Sequence, residues 1–178
     1  MFETIMNKYG PDQLSYYVED IDAACERFHE MFGAGPFIKM GPMKFEKCVY
    51  RGKEIDVEFE LALGMWGDIE VEFVHRISGD HYLLEEHGFG FNHVNVIVDD
   101  YDEAIKLFAS YGIEPGMEMI SSGKPVAYME TMALLGHNVE IHGPQSSAIP
   151  LCKAAKAAWD GESTFIDVAE VMKLIGRG

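Results

Sequence analysis

"QLSYYVEDIDAACERF" fills residues 13–28, and "HVNVIVDDYDEAIKLF" fills residues 93–108. Laid one over the other, they match at Val18 and Val98, Asp20 and Asp100, Asp22 and Asp102, Ala24 and Ala104, and Phe28 and Phe108. In the first copy Leu14, Tyr16 and Val18 point to one face of a strand and Gln13, Ser15 and Tyr17 to the other, because side chains alternate along extended chain. Asp20 is placed to cap a helix, and Ile21, Ala24, Cys25, Phe28, Met31 and Phe32 then recur at helical spacing until Gly33 stops it. The second copy repeats the design. Asp100 caps, Tyr101, Ala104, Ile105, Phe108 and Tyr111 form the stripe, and Gly112 closes it.

Strand patterns follow each helix. After the first come "KFEKCVYRG", "EIDVEFELAL" and "DIEVEFVH", with turns expected at Gly41-Pro42, Gly52-Lys53 and Gly64 to Gly67. After the second come "MEMIS", "PVAYMET" and "HNVEIHG". The unit is therefore βαβββ, present twice, which predicts an α+β fold. Two tandem modules, over residues 11–77 and 90–144, would form one curved mixed sheet around a cavity. Residues 145–178 read as a helical extension of two short helices, "LCKAAKAAWDG" and "TFIDVAEVMKLIG". In the second, Thr164 is the expected cap and Ile166, Val168, Ala169, Val171, Met172 and Leu174 are the apolar positions. The pair is expected to pack across the cleft or against a partner.

Composition narrows the function. The 178 residues are 48% hydrophobic and 12% aromatic, enough to bury a core, and they carry a formal charge of −16. Such a charge repels phosphate backbones and anionic lipid, so neither nucleic acid nor membrane is an expected partner. No run reaches the roughly 18 apolar residues that a membrane span requires, and no secretory leader is legible, so the expectation is a soluble cytoplasmic protein. Cys25, Cys48 and Cys152 are scattered and form no CxxC pair, which argues against a disulfide framework or a thiolate zinc site.

If the apolar set of every strand packs on its helix, the opposite face of the sheet carries Gln13, Ser15, Tyr17, Glu58, Glu60, Glu72, His93, Asn95, Glu140 and His142. Taken singly, each has an ordinary role as a surface amide, a solvated carboxylate or a structural imidazole. Their recurrence at matching positions of a duplicated unit points to a site. His81 and His87 fit neither periodicity and are expected to be exposed. "GFGFNH" precedes a strand where a phosphate loop would follow one. Lys39, Lys44, Lys47, Arg51 and Lys53 cluster on what reads as a solvated hairpin, with an anion-binding role the weaker alternative.

The doubled unit, together with "FGAGPF", "GFGFNHVNVIVDDYDEAI" and "SSGKPVAYMETMALLGHNVEIHGP", resembles the vicinal oxygen chelate superfamily over about residues 11–144. Within it the likeness is greatest to methylmalonyl-CoA epimerase and glyoxalase-4-type domains. The resemblance implies that each module gives two ligands to one metal: Gln13 and Glu72 from the first, His93 and Glu140 from the second. One imidazole, two carboxylates and an amide oxygen suit Zn, Co, Ni, Mn or Mg. They do not form the two-histidine, one-carboxylate triad of iron dioxygenases. The Gln/Glu/His/Glu set is that of glyoxalase I, whereas epimerases usually present His and Gln in the first module. The implied activity is a metal-dependent isomerase, an epimerase for example, or a lyase. It would transfer a proton next to the carbonyl of a small organic acid or acyl thioester. Glu140 is the first base by this resemblance, Glu58 the second and Glu60 its substitute, with Tyr17, Asn95, His142 and Lys124 expected around the substrate. A glyoxalase I-like thiol-adduct lyase and a non-catalytic binding protein of the bleomycin-resistance type are the alternatives. A homodimer is the expected assembly, since each module would leave a sheet edge to cover.

Overall fold

The computed structural model describes residues 9–176; the first eight residues of the chain and the last two of the expected C-terminal extension lie outside it. β1 (Gln13–Tyr17) leads into α1 (Ile21–Phe32), then β2 (Ile38–Lys44), β3 (Lys47–Tyr50), β4 (Lys53–Glu54), β5 (Val57–Trp66) and β6 (Ile69–Gly79). The second half runs β7 (Gly90–Ile97), α2 (Tyr101–Ser110), β8 (Pro115–Ser121), β9 (Lys124–Met129), α3 (Met132–Leu135) and β10 (Asn138–His142). α4 (Ile149–Ala157) and α5 (Val168–Ile175) follow. Both main helices start as their sequences predict. The Asp20 carboxylate accepts from the Ala23 amide and Asp100 from that of Glu103, and Gly33 ends α1 in the left-handed region at φ 63°.

All ten strands form one sheet in the order β2-β5-β6-β1-β7-β10-β9-β8-β3-β4. β1 runs parallel to β6 and β7 parallel to β10, while β1 and β7 join the halves antiparallel. In that central pair Gln13 faces Asn95 and Ser15 faces His93. A pseudo-two-fold that equates residue 13 with 93 and 15 with 95 exchanges these two pairs, so the sequence repeat and the spatial repeat coincide. The sheet also curls. β2 and β3 are separated only by Phe45 and Glu46, yet β2 ends the strand order on one side and β3 is next to last on the other. A link that short reaches on the order of 10 Å, so the two ends of the sheet must face each other across a trough.

Several expected details differ. "KFEKCVYRG" is two strands, because the chain leaves β5 after Lys44 and Lys47–Tyr50 crosses to pair with β8 of the other module. Gly41-Pro42 is a bulge inside β2, between Met40 and Met43, since proline has no amide hydrogen to give the ladder. Gly64 lies within β5, where a Cβ would come 2.7 Å from the Phe37 ring, and only Gly67 makes the turn. The cap of α5 is Asp167, whose carboxylate accepts from Ala169 N. Thr164 serves the backbone instead, its carbonyl accepting from Phe37 N at 2.7 Å as Phe165 bridges to Phe37.

The faces of the sheet divide less simply than alternation implies. On the outside, α1 covers Phe37, Val71 and Phe73, and α2 covers Val96, Val139 and Ile141. On the inside, β1, β6, β7 and β10 present Gln13, Ser15, Glu72, His93, Asn95, Glu140 and His142, all buried. β5 is turned the other way. Val57, Phe59, Leu61 and Leu63 face into the trough, where α4 and α5 close over them with Cys152, Ala155 and Val171. Glu58 and Glu60 are thereby on the outer face, Glu58 accepting from Ser78 Oγ at 2.9 Å. The reason is that β5 is covered on both sides: its outer apolar contact is limited to Ala62 and Gly64 under Phe37, and the closed trough demands the larger apolar set.

Candidate metal centre

The trough holds a cavity of about 140 Å³. Met40, Met43, Phe59, Leu61, Met119 and Val126 form its apolar walls, and Gln13, Glu70, Glu72, Tyr128, Glu140 and His142 its polar lining. Glu72, His93 and Glu140 each bring one ligand atom within 4.8 Å of the others. His93 is fully buried, with Nε2 3.4 Å from Glu72 Oε2 and 3.2 Å from Glu140 Oε2.

Both carboxylates are held by the same bond in each module. Ser15 Oγ donates to Glu72 Oε2 at 2.6 Å, and its pseudo-symmetric mate Asn95 donates through Nδ2 to Glu140 Oε2 at 3.1 Å. The histidine is oriented from behind. Asn92 Nδ2 donates to the Leu84 carbonyl at 2.8 Å, which turns its Oδ1 toward His93 Nδ1 at 3.2 Å. Nδ1 then carries the proton, and the Nε2 lone pair points at two carboxylate oxygens.

Three acceptors directed at one another call for a cation. Without one, Nε2 must take a proton: burial opposes charge on His93, but the Glu140 and Glu72 carboxylates outweigh it and raise the imidazole well above its ordinary range. Glu140, which burial alone would raise, is drawn down by the same histidine. Gln13 adds a further donor. Its Nε2 gives a bond to Glu70 Oε2 at 2.6 Å, and its Oε1 is buried without a partner, as is His93 Nε2 by hydrogen-bond geometry. A buried imidazole, two carboxylates and an orphaned amide oxygen fit a divalent ion.

Glu70 was not singled out in the sequence. It sits at 2% exposure, and burial pushes its carboxyl up to about 7 against the hydrogen bonds of Cys152 and Gln13. Its signal was the alternation that also placed Glu72, two residues on. Tyr128 was missed as well. It lies opposite Glu140 on β9, its ring edge-on to His93 at 4.9 Å, and burial among carboxylates holds its hydroxyl far above the usual range.

The expected substrate residues separate. His142 lines the cavity, with Nδ1 2.8 Å from the Gly143 carbonyl oxygen, and Asn95 supports Glu140. The Tyr17 hydroxyl donates to Glu85 at 3.0 Å, its ring stacked on Phe89, and Lys124 is exposed at the start of β9. His81 and His87 are exposed. Lys39 pairs with Asp22, Lys44 with Asp56 at 3.7 Å, and Arg51 with Glu86 and Glu130, so most of the basic cluster is already neutralised. All three cysteines are buried free thiols. Among the described residues no helix is long and apolar enough to cross a membrane.

The sequence model of the Glyoxalase/Bleomycin resistance protein/Dioxygenase superfamily matches residues 12–128, and the chain belongs to that superfamily. No curated protein matches it. Among solved structures, methylmalonyl-CoA epimerase from Mycobacterium tuberculosis is similar at 14% identity and a TM-score of 0.46, over 76% of this chain and 87% of the epimerase. A hypothetical protein from Bacillus halodurans C-125 is similar at 14% identity and a TM-score of 0.48, over 79% of this chain and 97% of its own. Both are distant likenesses, and the family assignment rests on the sequence match.

Proposed function

We propose that this protein is a metal-dependent isomerase or lyase that moves a proton at a carbon next to a carbonyl. The observation that carries the proposal is the buried triad of Glu72, His93 and Glu140, whose three acceptors converge beside the cavity that Glu72 and Glu140 line. Those residues, with Gln13, would hold the ion. When bound, a divalent ion supplies a Lewis acid that stabilises negative charge on a substrate oxygen. The chain's own part is positional and acid–base. Glu140 lines the cavity and is the first candidate to take the carbon-bound proton. Glu70 is the cavity carboxyl outside the triad, and it takes the place of the outward-facing Glu58 and Glu60 as the second proton carrier. Glu70, Glu72, His93 and Glu140 are themselves buried against apolar walls, which strengthens each of these charges. A binding protein without chemistry would have little use for two buried carboxylates that need a cation between them, and this favours the enzyme.

The test is deuterium uptake from heavy water by small carbonyl compounds that carry a hydrogen on the adjacent carbon. Uptake is expected with zinc- or manganese-loaded protein and is expected to fall to the buffer rate after chelator treatment. Equal rates before and after chelation would defeat the proposal.

Assembly is inferred separately. β2 and β4 end the sheet, and α5 exposes Val168, Met172, Leu174 and Ile175. We infer a homodimer with the C-terminal helices at or near the contact. Light scattering at micromolar concentration should return twice the chain mass; a monomer would count against it.

A further inference from the structure

The cavity beside the triad, which Glu72 and Glu140 line, limits what can sit against the metal site. Its volume of about 140 Å³ is near the roughly 150 Å³ of an engineered apolar cavity that takes up benzene. The C-terminal extension enforces that size. Ser146 and Ala148 line the cavity, and Cys152, Ala155 and Val171 fill the trough beside it to 1% exposure or less. Met40, Met43 and Met119 give part of the wall a polarizable, adaptable surface suited to rings and branched chains.

Charge selects as strongly as size. Among the described residues no lysine or arginine lines the cavity, while Glu70, Glu72 and Glu140 do. The two triad carboxylates already balance the two charges of a divalent ion, so an incoming anion would meet no excess of positive charge, and Glu70 beside them offers it no positive partner. The chain as a whole carries −16, which adds to the repulsion at the mouth.

We propose that the substrate is a small uncharged carbonyl compound whose apolar body is about the size of a benzene ring. Anionic acids, and coenzyme A thioesters with their charged phosphates, are disfavoured by the same acidic lining. This inference rests on the metal-dependent proton transfer proposed above, and it can fail independently of it.

Three compounds share one benzyl carbonyl unit and differ only in what is attached: phenylacetone, phenylacetate and phenylacetyl-coenzyme A. Calorimetric titration of each into zinc-loaded protein, with zinc content measured on the same sample, measures the selection against charge. Phenylacetone is expected to bind, and phenylacetate and the thioester, both anionic, each about tenfold more weakly or worse. Met43 is a half-exposed wall residue, so Met43→Trp should fold, keep its zinc and weaken phenylacetone about tenfold by filling the cavity. Phenylacetate or the thioester binding as tightly as the ketone, no binding of the ketone, or indifference of Met43→Trp would each overturn the substrate class. Deuterium exchange at the benzylic carbon distinguishes the two proposals. Ketone binding without exchange would sustain the ligand class and overturn proton transfer, whereas exchange confined to the thioester would do the reverse.

Discussion

His93→Ala is expected to purify with about a tenth or less of the divalent metal that the unaltered protein carries, and to bind zinc at least about a hundredfold more weakly. Loss of a residue that merely supports a ligand typically costs tenfold to a hundredfold in affinity, and His93 is a ligand candidate itself. It is the one nitrogen donor of the set, fully buried, 3.4 Å from the Glu72 oxygen and 3.2 Å from that of Glu140. Removing it also leaves two buried carboxylates without the group that relieves their repulsion, so the metal-free variant should melt below the unaltered protein. Elemental analysis of protein prepared without chelator, followed by calorimetric titration with zinc, gives both numbers. Equal metal content in the two proteins would mean that any bound ion sits elsewhere.

The duplicated strand and helix made the architecture legible, because register along a repeat transfers directly to space. Gln13 and His93 occupy equivalent places, and so do Ser15 and Asn95, each donating to the last-strand carboxylate of its own module. Alternation along β5 was less informative. It separates two faces, and it does not say which one looks inward when both are covered. Phe59 and Leu61 therefore displaced Glu58 and Glu60 from the cavity. Glu70 was passed over because its neighbour Glu72 satisfied the ligand pattern. That it accepts from Gln13 across a parallel strand pair is a fact of register between distant segments. The crossing of β3 to β8 was hidden for a similar reason: a single continuous pattern from Lys44 to Gly52 conceals a change of pairing partner at Phe45. The closure of the trough by α4 and α5 depends on where those helices dock, and their apolar spacing alone does not specify it.

Glu70→Gln is expected to slow deuterium exchange about a hundredfold or more, the usual cost of losing a general base, while zinc content stays at the unaltered level. The substitution is close to isosteric, and its amide oxygen can still accept from Gln13 Nε2, the bond that Glu70 Oε2 accepts at 2.6 Å. Gln13 therefore keeps its orientation, and the metal content reports whether it has. What the variant lacks is a group able to take up and return a proton inside the cavity. Glu58→Gln and Glu60→Gln serve as matched controls, since each removes one carboxylate from the outer face of the same sheet. Both should exchange at the unaltered rate, because β5 turns Phe59 and Leu61 toward the cavity in their place. A hundredfold loss in Glu58→Gln or Glu60→Gln, with none in Glu70→Gln, would put the second proton carrier back on β5. Loss of zinc in Glu70→Gln would assign Glu70 to the support of Gln13 and remove it from the chemistry, leaving Glu140 as the cavity carboxylate to carry the proton in both directions.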